Sequence, residues 1–151
     1  MGKVYKLDMN LTDVDVPDYF LNEQPTEEER KEFNKLNEEW NAADPKTRGG
    51  RPEFQSSKKP KSKFFVDTVM SAMHQVHPTG NVQQLKKTRS VSESLNVGVI
   101  TNNGIAMLKE EEYKTIKSSM DKADKWNNNK ESSEVIIQIH DAIAKAEQVD
   151  A

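Results

Sequence analysis

From Phe64 onward the chain places large apolar residues at the spacing of a helix face, and this pattern limits the fold more than any other feature. Phe65, Val69, Ala72, Met73 and Val76 fall at i, i+4, i+7, i+8 and i+11, on one side of a helix that can start after Ser62 and must close at Pro78-Thr79-Gly80. Tyr113, Ile116, Met120 and Ala123 repeat the stripe in a helix expected from about Lys109 to Lys125. Val135, Ile136, Ile139, Ala142, Ile143 and Ala146 repeat it again in a last helix from about Ser133 to Val149, the most apolar of the set and the expected packing centre. A weaker helix is expected from Asn81 to about Leu95, with Val82, Leu85, Val91 and Leu95 as its apolar set. Stripes of this kind are buried against one another, so residues 64–151 are expected to form a mainly α domain.

Between the helix expected at Asn81 to Leu95 and the one expected from Lys109 the pattern changes. Val97, Val99 and Ile100 are followed by Thr101-Asn102-Asn103-Gly104 and then by Ile105, Met107 and Leu108. Asn-Gly between two apolar runs is a strong hairpin signal, because both residues tolerate positive φ. A minor β-hairpin is expected here, with a loop containing an Asn-Gly turn as the alternative.

Residues 1–63 read as an arm preceding that domain. Val4, Leu7, Val14, Val16, Tyr19, Phe20 and Leu21 are apolar, but Pro17 and the aspartates around it interrupt helix or central-strand growth, so residues 1–24 are expected to be an extended, partly disordered leader. Pro25-Thr26-Glu27-Glu28-Glu29 then signals a helix start. Thr26 can cap it, Glu29 can complete a capping box, and the carboxylates sit at the positive end of the helix dipole. The helix is expected over 27–43, with Phe33, Leu36 and Trp40 as a narrow apolar stripe and Asp44-Pro45 as its stop. Residues 46–63, rich in Gly, Pro, Ser and Lys, have linker composition.

Charge is segregated along this arm. Residues 1–45 carry 5 Lys/Arg against 12 Asp/Glu, a net of −7, and residues 46–63 carry 7 against 1, a net of +6, although the whole chain has a net charge of only −3. A solvating tail is usually poor in aromatics, whereas Tyr19, Phe20, Phe33 and Trp40 stand among these carboxylates. Tyr19, Phe20, Phe33, Leu36 and Trp40 are therefore the candidate partner-binding residues. Arg48, Arg51, Lys58, Lys59, Lys61 and Lys63 form a lesser, salt-sensitive candidate for nucleic-acid contact, without the aromatic platform that single strands require.

Catalytic and cofactor signals are weak. The chain has no Cys, so thiolate zinc sites, disulfides and a Cys nucleophile do not arise, and a reducing cytoplasm is the expected location. His74 and His77 are spaced to share one side of a helix, but no third ligand stands near them and no metal is expected; His140 reads as a half-buried structural residue. There is no phosphate loop, dinucleotide fingerprint or nucleophile elbow, so neither an enzyme, a cofactor nor a small-molecule substrate is expected. No apolar run approaches the roughly 18–20 residues that span a bilayer, so no membrane partner is expected either.

Leu108-Lys109-Glu110-Glu111-Glu112-Tyr113-Lys114-Thr115-Ile116-Lys117, followed by the closing apolar helix Val135 to Ala146, resembles a module of small accessory proteins of tailed bacteriophages. The resemblance covers residues 64–149 and leaves the arm outside. It implies a viral origin, in host cytoplasm or virion, and no particular activity. Together these features predict a non-enzymatic protein-binding protein that regulates or inhibits a host or phage protein. The alternative is a head, neck or tail component or assembly chaperone.

Overall fold

The computed structural model describes residues 3–12, 15–23, 25–54 and 57–150; Val14, part of the acidic leader, lies outside them. The chain divides into two compact units, Met1–Leu21 with Pro60–Ala151, and Asn22–Lys59. The first is mainly helical, with a small antiparallel sheet. The helices match the apolar stripes, but the expected boundary at Phe64 does not: the start of the chain belongs to the folded body.

β1 (Lys3–Asp8) is the central strand of a three-stranded sheet. It pairs antiparallel with β2 (Ile105–Lys109) on one side and β3 (Glu147–Asp150) on the other. Leu7 and Met9 have no exposed surface, and Leu11 and Val16 are also buried. The period-two run Tyr5, Leu7, Met9 drives this along the strand, because alternate residues of a strand share one face, whereas Leu11, at φ 50, lies beyond the strand's end. The run's cross-strand neighbours on that face are Ala106, opposite Leu7, and Leu108, opposite Tyr5. Lys6, Asp8, Met107 and Lys109 are exposed.

In the smaller unit, α1 (Glu27–Ala42) starts as expected. Thr26 Oγ1 accepts from the Glu29 amide at 3.2 Å and Glu29 Oε1 accepts from the Thr26 amide at 3.3 Å. In the larger unit α2 spans Lys61–Val76 and buries Phe65, Val66, Val69, Ala72 and Met73. α3 spans Val82–Thr101, capped by Asn81, whose Oδ1 accepts from the Gln84 amide at 3.0 Å. α4 (Glu110–Lys122) buries Tyr113, Ile116 and Met120, as its stripe predicted. α5 (Lys130–Ala144) starts at Asn129 and buries Val135, Ile139 and Ile143.

Two expectations are corrected. The hairpin over 97–108 is not formed, because α3 continues to Thr101: Val91, Leu95 and Gly98 form its buried stripe at i, i+4 and i+7. Gly98 lets β2 approach the helix, since a Cβ there would lie 2.7 Å from Ile105 O. The Asn-Gly signal does produce a turn, with Asn103 at φ 54 and Gly104 at φ 82, but it turns a helix into a strand whose partner is β1. The last helix also stops short of Val149, at Ala144, and the chain then extends to form β3 as a sheet edge.

Glu112, in the first turn of α4, ties the sheet edge to two helices. It is 7% exposed; its Oε2 accepts from Ser90 and Ser94 at 2.8 and 2.7 Å and its Oε1 from the Lys109 amide at 3.0 Å. The Met9 amide donates to Gly104 O, so the alternation of an antiparallel ladder turns the backbone groups of Ile105, Met107 and Lys109 away from β1. Asn102 Nδ2 donates to Ile105 O at 2.9 Å, and Glu112 takes the Lys109 amide. The β2 edge is thereby blocked at both ends against strand addition.

Candidate partner-binding groove

Pro17 and Asp18 start a single 3-10 turn over Asp18–Leu21, closed by the Phe20 amide donating to Pro17 O at 2.9 Å. The turn sets Tyr19 and Phe20 side by side, edge to face, with ring centroids 4.7 Å apart. Phe20 stacks on Phe64 in the first turn of α2, at 5.9 Å and 22°. Trp126 and Asn127, between α4 and α5, and Ser132, Val135 and Ile136 on α5 complete a groove of about 280 Å3. Its walls are mostly aromatic and aliphatic, and it has space for a large apolar side chain.

Tyr19, 58% exposed, forms the rim. Its hydroxyl donates to the Glu131 carboxylate at the start of α5. That hydrogen bond first, with desolvation and the nearby negative charge adding to it, holds the Tyr19 hydroxyl above its ordinary range, because ionising it would remove the donor and set two anions together. The contact latches the 3-10 turn to α5 and so positions Phe20 in the groove wall.

Of the five candidate residues, Tyr19 and Phe20 are at this groove and the others lie in the Asn22–Lys59 unit. There Phe33 packs edge-on against Phe54 at 5.4 Å. Trp40 Nε1 donates to Gly49 O at 2.9 Å, and the Arg48 guanidinium covers the Trp40 ring at 3.6 Å. Two of the three aromatic and aliphatic anchors of the acidic helix are thus engaged by the following segment, and Leu36 remains 52% exposed. Val135 and Ile136 were legible as part of a helix stripe, but the groove they form with Phe64 and Trp126 arises only when Phe20 is brought to them.

The basic candidates are also dispersed. Arg48 is committed to Trp40, where its Nη1 also donates to Trp40 O at 3.2 Å, and Lys58 bonds Asn22. Arg51, Lys58 and Lys59 share that unit, whereas Lys61 and Lys63 belong to the first turn of α2. Among the described residues no three His, Cys, Asp or Glu side chains gather at a metal-binding distance, and His140 pairs with Asp121 at 2.7 Å. No helix of the described residues is long and apolar enough to cross a membrane. No family model matches the chain, and no curated protein or solved structure shows significant similarity to it.

Proposed function

We propose that this chain is a non-enzymatic protein-binding protein that regulates or inhibits its partner, and that the groove bounded by Phe20, Phe64, Trp126 and Ile136 receives an apolar anchor of that partner. The observation that carries the reading is the groove itself: an aromatic-lined depression whose outer wall is a short turn, stacked on Phe64 through Phe20 and bonded to Glu131 through Tyr19. Buried aromatic anchors dominate the energetics of such interfaces, and a groove with few polar groups favours an apolar insert. On this reading the partner is a host or phage protein.

Capture of partners from source cells tests this if it is run in parallel with two variants. Ile136→Asp places a charge in the groove wall and is expected to abolish recovery of the partner, whereas Leu36→Ala, in the other unit, is expected to leave it unchanged. Recovery unaffected by Ile136→Asp and lost with Leu36→Ala would move the binding device to the acidic helix. Regular stoichiometric copies of the protein in purified particles would favour the assembly role instead.

A further inference from the structure

The end of α2 presents a second feature that the groove does not use. Met70, Met73 and His74 stand at i, i+3 and i+4 on one face of α2, where neighbouring Cβ atoms lie about 5–6 Å apart, and His77 is the residue that caps the helix's C-terminal end. All four line a single cavity of about 310 Å3, bounded on its far side by residues of the α2–α3 turn and the start of α3. We propose that this face is a soft-metal site that takes one monovalent copper ion through His74, His77 and the thioether of Met70 or Met73.

The donor set selects the ion. Imidazole nitrogen and thioether sulfur suit copper(I), whereas magnesium and calcium require carboxylate or carbonyl oxygen. No carboxylate lines the cavity, so a bound ion keeps its charge uncompensated, and a single positive charge is easier to desolvate than a double one. Both imidazoles are free for the task. Among the described residues neither His74 nor His77 makes a side-chain hydrogen bond or ion pair, in contrast to His140 on Asp121.

Burial divides these four side chains usefully. His74 and His77 are exposed and can admit an ion from solvent, Met70 is half-buried, and Met73, 1% exposed, forms the cavity floor. A thioether on a flexible side chain can turn toward an ion without moving the backbone. The chain contains no Cys, and so no thiolate competes with this set for copper(I).

The test uses the full-length protein and the copper(I) complex of bicinchoninate under anaerobic, reducing conditions. The protein is expected to withdraw one equivalent of copper, read as loss of the complex's colour, and to shift the ring-proton resonances of two of its three histidines. Replacing His74 and His77 together by Ala is expected to weaken uptake by more than about tenfold, a typical scale for ligand-shell changes, and Met70→Leu by less. His140→Ala and Met107→Leu, away from the cavity, are expected to bind as the parent does. The two histidines are exposed, so circular dichroism of the double variant should match the parent and separate loss of a ligand from loss of fold. No withdrawal of copper, uptake by the double variant equal to that of the parent, or tighter retention of zinc than of copper would each overturn the proposal.

Discussion

In α1 the capping box, the acidic first turn and the apolar stripe are all present, yet no residue of the helix is buried. In α4 the N-cap is Lys109, which makes no side-chain capping bond, yet Glu112, Tyr113, Ile116, Ser119 and Met120 are buried. Good local signals thus mark where a helix begins but not how much the tertiary structure depends on it. A cap contributes about 0.5–2 kcal/mol, whereas full burial of one large apolar side chain contributes about 1.5–3 kcal/mol, and α4 buries several. In the Asn22–Lys59 unit Phe33 meets Phe54 edge-on and Arg48 covers the Trp40 ring, whereas the larger unit has a continuous core.

The strongest way to break this contrast is to remove the strand that the core depends on. A chain beginning at Phe64 lacks Leu7, Met9 and the centre of the sheet, and is expected to lose its cooperative thermal transition. A transition equal to that of the full-length protein would show that the C-terminal helices form a domain unaided. As a point substitution, Leu7→Ala is expected to cost about 2–5 kcal/mol in urea denaturation, since it opens a cavity where no surface is exposed.

Next in size are the two devices that join α3 to β2. Gly98→Ala puts a methyl 2.7 Å from Ile105 O and is expected to destabilise by about 1–3 kcal/mol through overpacking. Glu112→Ala leaves the hydroxyls of Ser90 and Ser94 and the Lys109 amide without their acceptor, at a cost of about 1–3 kcal/mol. Equal stability of either variant and the parent, measured by chemical denaturation, would remove that device from the account.

Trp40→Ala sharpens the comparison from the other side. It removes the ring beneath Arg48 and the bond to Gly49 O, so amide exchange in α1 should accelerate. The main unfolding midpoint should move by no more than the equivalent of about 0.5 kcal/mol, as for a surface change.

The smallest effect is electrostatic. The folded-state value of Tyr19 lies above its ordinary 10.0, so the neutral hydroxyl is favoured by folding. Its contribution is fully present below the unfolded value and is lost as pH rises through the folded one. In a tyrosinate absorbance titration, with Tyr19→Phe as the subtraction, Tyr19 is expected to ionise later in the parent than in Glu131→Gln. Coincident curves would remove the latch.

The apolar stripes of α2, α4 and α5 and the start of α1 were legible in the sequence because helix periodicity and capping are local, set within a turn or two of chain. The groove was legible only in part: Tyr19 and Phe20 stood out as aromatics among carboxylates, but Phe64, Trp126 and Ile136 reach them only through the fold. The missed strand is instructive. Tyr5, Leu7 and Met9 alternate as a strand requires, yet a strand gains nothing until partners supply its hydrogen bonds, and those partners are Ile105–Lys109 and Glu147–Asp150. The same dependence turned Val97–Thr101 into helix: Asn103 and Gly104 dictate a turn by their tolerance of positive φ, but which elements the turn joins was decided by Gly98 fitting against β2. Helices and turns follow from neighbours along the chain, and the sheet, the edge block at Glu112 and the groove follow from burial and pairing between residues far apart in it.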